Sequence, residues 1–368
     1  MAGRVVLFGA TGYTGRLTAE AMVARGLQPL LAARSRPRLQ ALAADLGGLE
    51  TAAANVADPA TVSALVQEGD VLVSTVGPFV RWGHAAAAAA SSTGAHYLDC
   101  TGEPPFIREV FERYGPAAEK TGSAMFTAFG YDWVPGNLAG GLALDRAGDA
   151  VARVDIGYFL TGAGDTSSMS GGTKASLVGV IAAPSFRFVD GRVQTERGAQ
   201  ALRTFPVAAR QRPAVSVGSS EHFALPRLAP GLREVNAYLG WFGPASRAMQ
   251  VMSGGMSLAM KVPGVSGLWK AAGEKLVQGS SGGPDESARA KSGSHIVAIA
   301  YDKAANPLAE VHLTGVDGYT FTGRILAWGA EQAARGAVKG AGALGPVDGF
   351  GLEELSAGVA EAGITEEG

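Results

Sequence analysis

Apolar residues fall into two patterns along this chain, and the change between them divides it. In the first part, short continuous apolar runs alternate with segments whose apolar positions recur at helical spacing. RVVLF (4–8) has the composition of a strand buried on both faces, and Leu17, Ala21, Met22 and Ala24 follow as one face of a helix. LQPLLAAR supplies a second strand with a short helix over 39–46, and GLETAAAN a third, ending near Asn55, with Asp58 or Thr61 opening the next helix. GDVLVSTVGPF, the run 95–100 and the run 123–129 are the fourth, fifth and sixth strands, separated by the alanine-rich helix 83–92 and the helical stretch after Pro104 and Pro105. A last helix begins near Pro135, which places Asp132 where an N-terminal cap would stand. Strands alternating with helices in this way predict an α/β, Rossmann-type doubly wound parallel sheet.

From Ala150 the pattern changes. RVDIGYFL, SFRFVDGRVQTE, PAVSVG, REVNAYLGW, HIVAIAYD and LAEVHLTG are strand-like, several of them alternating, and Asp190-Gly191 marks a hairpin turn. Few helices interrupt them, so a second α+β domain with a mainly antiparallel sheet is expected. One helical stretch, 243–278, carries Met249, Met252, Met256, Met260 and Trp269, a spacing that suits core, a dimer contact or the lining of a pocket for greasy ligands. The predicted division is 1–149 for the first domain, 150–318 for a substrate or dimerisation domain, and 319–368 for C-terminal helices that pack back on the first.

Composition adds boundaries rather than identity. A chain of 368 residues with 47% hydrophobic and 17% charged residues is globular and long enough for two cores. Its formal net charge of −2 gives no reason to expect nucleic acid as a partner. A single cysteine, Cys100, excludes an internal disulfide framework and suits a reducing cytosol. No signal peptide or apolar run of membrane-spanning length is present, so a soluble cytoplasmic protein without stable membrane insertion is expected.

Candidate chemistry starts at the first turn. Gly9, Gly12 and Gly15 lie between the first strand and its helix, where glycines permit a tight reversal, close approach of backbone to a pyrophosphate, and close helix packing. Thr11, Tyr13 and Thr14 fill the gaps and offer hydroxyls or amides to phosphate. About 20 residues further on, where an NAD enzyme keeps a carboxylate for the ribose 2′-hydroxyl, stands Arg34, followed by Ser35, Arg36 and Arg38. A guanidinium there holds a 2′-phosphate, so NADP(H) is the expected cofactor. Asn55 and Val56 are candidate adenine contacts, or equally an ordinary loop. Thr75, Gly77, Pro78 and Phe79 end the fourth strand at the ligand-binding edge and suit the nicotinamide end, with Phe79 equally readable as core. Cys100 and Gly102 end the fifth strand, and Cys100 reads as a small contact near the cofactor, since no paired base is evident for a nucleophile.

GATGYTG, VSTVGPF, HYLDCTGE, GYDWVPGNLA and GGPDESAR together resemble the saccharopine dehydrogenase-like oxidoreductases, and in particular the branch of trans-acting enoyl reductases. The resemblance covers nearly the whole chain in order, more loosely in the middle domain. It implies a Rossmann domain binding NADP(H) through Gly9, Gly12, Gly15 and Arg34, an α/β second domain that shapes the substrate site and often a homodimer, and a C-terminal part that returns to the first domain. It supplies no marked acid or base.

Hydride transfer to a conjugated C=C needs positioning, one hydrogen-bond donor and one acid. None of the eight tyrosines has a lysine four residues later, which disfavours a short-chain ketoreductase. Tyr131, just past the sixth strand, is the candidate hydroxyl, with an aromatic plug as the other reading. Lys174, near the start of a helix in SMSGGTKASLVG, would be compensated by phosphate or a developing enolate, or is simply exposed; Ser170 and Thr173 could cap that helix or touch substrate. His84 reads as structural or as a proton shuttle. His96, His222, His295 and His312 have no metal-ligand spacing, and no metal is expected. The expected activity is NADPH-dependent reduction of an apolar acyl, polyketide-like or cyclic enone substrate, a small molecule free or presented on a carrier. An imine or amino-acid dehydrogenase would instead line its pocket with arginines such as Arg153, Arg187 or Arg203, and a non-catalytic NADP(H) sensor would close the nicotinamide pocket.

Overall fold

The computed structural model describes residues 3–162, 184–259 and 282–367. Lys174, Ser170, Thr173, Met260 and Trp269 lie outside these residues, as does the side chain of Met256. Two compact units emerge: 1–102, 106–134 and 316–364 form the first, and 103–105, 135–315 and 365–368 the second. The division near residue 134 falls ahead of the helix Val134–Ala147, rather than after it at 149.

In the first unit, β1 (Val5–Phe8), β2 (Leu30–Ala33), β3 (Thr51–Ala53), β4 (Val71–Ser74), β5 (His96–Asp99) and β6 (Ala124–Phe126) are joined by β15 (Gly342–Ala343) in the order β15-β6-β5-β4-β1-β2-β3. Every neighbouring pair is parallel. The four residues of β1, β2 and β4 are all buried, because helices cover both faces of a sheet whose strands connect by crossovers. The strand order reverses between β1 and β4, and the carboxyl ends of the strands there open the crevice in which such sheets bind ligands.

Helix α1 (Tyr13–Ala24) packs against the late helix Gly318–Ala334, whose Gly323 leaves room for the α1 backbone at Leu17. That late helix is almost wholly buried, and Asp317 caps it by accepting from the amides of Tyr319 and Thr320 at 2.9 and 3.1 Å. Phe126, Phe129, Trp328 and Phe350 cluster at the β6 end of the sheet, with Phe126 stacked on Phe350 and the Phe129 and Trp328 rings nearly parallel at 4°.

The second unit is built on β7 (Arg153–Gly162), β8 (Pro184–Val189), β9 (Arg192–Arg197), β10 (Leu202–Val207), β11 (Arg210–Val217), β12 (Glu234–Leu239), β13 (Ser292–Tyr301), β14 (Pro307–Val316) and β16 (Ile364–Glu366). Its main path runs β10-β11-β12-β7-β13-β14-β16, with β8 bridging β12 and β9. Hairpin neighbours run antiparallel, while β12 and β7 are parallel, so the sheet is mixed. Phe159, Phe205 and Tyr238 pack edge to face at its centre.

Candidate cofactor site and its acidic neighbour

The turn after β1 is shaped by what its glycines exclude. Gly9 adopts φ +93°, and a Cβ on it would lie 2.6 Å from Thr75 Oγ1, so both conformation and space require glycine. A Cβ on Gly15 would overlap the Gly9 carbonyl oxygen, which is how helix and turn come so close. Gly12, at the N-cap of α1, would meet only the Gly9 oxygen, at 3.3 Å. The turn therefore leaves one side open to an incoming group, over a helix start that has no acidic residue and no side-chain cap. Gly15→Ala is expected to cost about 2 kcal/mol by overpacking, read as a lower urea midpoint, and to weaken NADPH binding with it.

Arg34 follows β2 directly and is exposed, as is Arg36 at the first position of α2 (Arg36–Asp45). Among the described residues neither guanidinium makes a hydrogen bond or an ion pair, and the first turn of α2 has no acidic side chain. Ser35 is the N-cap but makes no side-chain bond to its helix. Arg38 turns back, its Nη2 donating to the Thr11 carbonyl at 2.8 Å, and so ties this basic segment to the glycine turn. Tyr13 packs edge to face on Tyr319 at 5.2 Å. Two cations unpaired among the described residues, next to the glycine turn, fit a 2′-phosphorylated dinucleotide, because each can gain charge-assisted bonds without breaking one among those residues.

The remaining predicted contacts are placed unevenly. Asn55 closes the turn beyond β3, its Oδ1 accepting from the Ala57 amide at 3.1 Å, with Val56 beside it half-buried. Thr75 lies beneath the first turn, its Oγ1 donating to the Phe8 carbonyl at 3.3 Å. The Gly77–Pro78 peptide is cis. Phe79 is 5% exposed with its ring against Phe106, which makes the ring part of the core. His84 bridges the Val80 carbonyl and the Tyr114 hydroxyl at 3.0 and 3.3 Å, a structural position.

The ends of β5 and β6 are fastened by Asp99. This carboxylate is fully buried and its Oδ1 accepts from the amides of Thr101 and Ala128 at 2.8 and 3.0 Å. Burial raises its pKa to about 6 in spite of those two amides, which favour the charged form. The fastening brings Cys100 and Gly102 beside the loop 128–134. A Cβ on Gly102 would stand 3.0 Å from Asp132 Oδ2, so the glycine makes room for that carboxyl.

Asp132 stands two residues before the helix that starts at Val134, and its Oδ1 is out of solvent with no hydrogen-bond partner among the described residues, so this oxygen caps nothing. Burial pushes its pKa up to about 7. Tyr131 is 5% exposed, with its ring against Gly318 and its amide donating to Thr322 Oγ1 at 3.0 Å. Of its two readings, the aromatic plug describes that packing. A carboxyl after a β-strand gives no sequence signal that separates a cap from an acid; only the depth of the loop does.

The open parallel sheet, the glycine turn and the exposed arginines after β2 fit a dinucleotide-binding domain of the NADP class. Residues 5–125 match the family model of the saccharopine dehydrogenase NADP binding domain. A relative from Mycobacterium tuberculosis (strain H37Rv) is 37% identical over 195 residues, 49% of this chain and 45% of its own length. The trans-acting enoyl reductase of Mycobacterium ulcerans (strain Agy99) is 36% identical over 140 residues, 36% of this chain and 34% of its own. The chain thus spans less than half the length of these curated relatives. Across 99% of both chains its fold is similar to saccharopine dehydrogenase (L-Glu forming) from Saccharomyces cerevisiae, with a TM-score of 0.61 at 14% identity.

Proposed function

We propose that this protein is an NADPH-dependent enoyl reductase acting on an apolar acyl or polyketide-like substrate, presented as a thioester on a carrier. The observation that carries this reading is the Asp132 carboxyl, near-neutral in pKa and unsatisfied at Oδ1, on the ligand edge of an NADP-type sheet. NADPH supplies the hydride that a conjugated C=C accepts at its β-carbon. Gly9, Gly12 and Gly15 and the start of α1 hold the pyrophosphate, Arg34, Ser35 and Arg36 hold the 2′-phosphate, and Asn55 and Val56 flank the adenine. Thr75, Gly77, Pro78, Cys100 and Gly102 line the nicotinamide end, with the Phe79 ring packed on Phe106 as core beside them. Asp132, whose pKa burial pushes up to about 7, delivers a proton from its protonated form to the substrate α-carbon, with Tyr131 packing the loop that positions it. Lys174 is kept as a candidate donor to the developing enolate.

Arg153, Arg187 and Arg203 favour this reading over an amino-acid or imine dehydrogenase. Arg203 is ion-paired to the buried Asp155, and Arg153 Nε lies 3.3 Å from the same carboxylate. Arg187 Nε lies 3.4 Å from Glu196. Cations already paired with carboxylates are poor receptors for a polycarboxylate substrate, since recruiting them would leave buried charges unmatched. Val251 and Met252, 71% and 51% exposed on the helix Ser246–Ala259, favour a homodimer. One cysteine fits a reducing cytoplasm, and among the described residues no helix is long and apolar enough to cross a membrane.

The test is NADPH oxidation by the purified protein with a panel of enones, enoyl thioesters and imines. Turnover with enoyl thioesters is expected. Turnover with imines alone would move the assignment to the dehydrogenase, and tight NADPH binding with no oxidation across the panel would favour a sensor.

A further inference from the structure

Away from the nucleotide site, three metal-ligating side chains converge at one edge of the mixed sheet. His295 on β13, His312 on β14 and Glu367, next after β16, each offer one ligand atom, and these atoms lie within 4.8 Å of one another. His295 Nε2 is 2.9 Å from His312 Nδ1, with the rings at 88°. The other His312 nitrogen, Nε2, is 2.7 Å from Glu310 Oε1. That contact places a proton on Nε2 and turns the Nδ1 lone pair of neutral His312 toward His295. The backbone holds the third donor in place, because the Glu367 amide donates to the His312 carbonyl at 2.9 Å. Its carboxylate reaches within 3.7 Å of His295 Nδ1.

We propose that His295, His312 and Glu367 form a binding site for a divalent transition-metal ion of the zinc type, with water completing the coordination. Two imidazole nitrogens and one carboxylate oxygen are a donor set that Zn²⁺ accepts, and strands supply it from a rigid frame. Tetrahedral zinc with bonds of about 2.0–2.1 Å separates its nitrogen ligands by about 3.3 Å. The two nitrogens therefore need to part by only a few tenths of an ångström, with the rings turning so that both lone pairs face the ion, and the proton between them moves from His295 Nε2 to His295 Nδ1, on the side of the Glu367 carboxylate, as the metal takes its place. Glu310 is the outer carboxylate that orients a metal-bound histidine. Exposure rises from 3% at the His295 side chain through 24% at His312 to 46% at Glu367, so the nitrogens are shielded while the carboxylate side admits ion and water. A bound ion joins β13, β14 and the C-terminal strand, and stabilises that edge.

The experiment uses the full chain, stripped with a chelator and titrated with Zn²⁺ by calorimetry while thermal melting is followed. One Zn²⁺ per chain and a raised Tm are expected. Because His295 is buried and its replacement risks the fold, His312→Asn and Glu367→Gln carry the test, and both should weaken binding by at least about tenfold and shrink the Tm shift. Glu310→Gln should weaken it by about tenfold through orientation alone. No binding by the wild-type chain at Zn²⁺ concentrations up to about 0.1 mM, where a specific site would already raise Tm, overturns the proposal. Stoichiometric binding that both variants leave unchanged also overturns it, by placing the ion elsewhere.

Discussion

Arg34→Asp is expected to weaken NADPH binding by about a hundredfold while leaving NADH affinity within a few-fold, because it removes a charge-assisted pair and sets a carboxylate against the 2′-phosphate. Arg34 is exposed beyond β2 and, like Arg36, makes no ion pair among the described residues, so its removal breaks nothing in the apo fold. The effect on NADPH then reads recognition rather than stability. For NADH the new carboxylate faces the ribose 2′-hydroxyl, the arrangement used by NAD enzymes, and its affinity can even rise. Fluorescence titration with both nucleotides checks this. Equal losses for the two would remove the 2′-phosphate from the assignment.

Asp132→Asn should lower turnover by about 10²- to 10⁴-fold, the usual range for a lost general acid, with little change in NADPH affinity. In the wild-type chain the acid must be protonated, so kcat should fall as pH rises through about 7, the value to which burial pushes this carboxyl. The variant should lose that limb. Stability supplies an independent reading of the same group. Its folded pKa lies above the unfolded value of 3.8, so between about 4 and 7 the native state binds the extra proton and stability falls as pH rises. Asparagine carries no such charge, and the variant should therefore match or exceed the wild-type Tm at pH 8. An unchanged pH–rate profile in the variant would dismiss Asp132 as the donor, and an unchanged pH dependence of Tm would dismiss the raised pKa.

Much of the first unit is legible in residue order because its determinants are local. RVVLF, the three glycines and the following helix are one contiguous segment, and Arg34 stands at the end of the next strand, so neighbours in sequence are neighbours at the proposed nucleotide site. The alternating runs after Ala150 likewise announce a second sheet, since side chains on a strand must alternate between faces. Pairing direction is not local: β7 and β12 are parallel although most of their neighbours are antiparallel, and nothing within either strand encodes that choice.

Tertiary structure decided the chemistry that depends on burial. Asp132 before Pro135 has the sequence of a helix cap, and its pKa rises to about 7 only because the fold buries its carboxyl. Arg153 and Arg203 look like substrate ligands until the fold places both on Asp155. His295, His312 and Glu367 lack any ligand spacing in the chain, yet neighbouring strands bring their donor atoms together. By itself, then, the sequence determined the nucleotide-binding frame and the two-sheet plan, through short-range periodicity and turn chemistry. Protonation states, the partners of buried charges and convergent side chains came from long-range packing, because each depends on residues that meet only when the chain has folded.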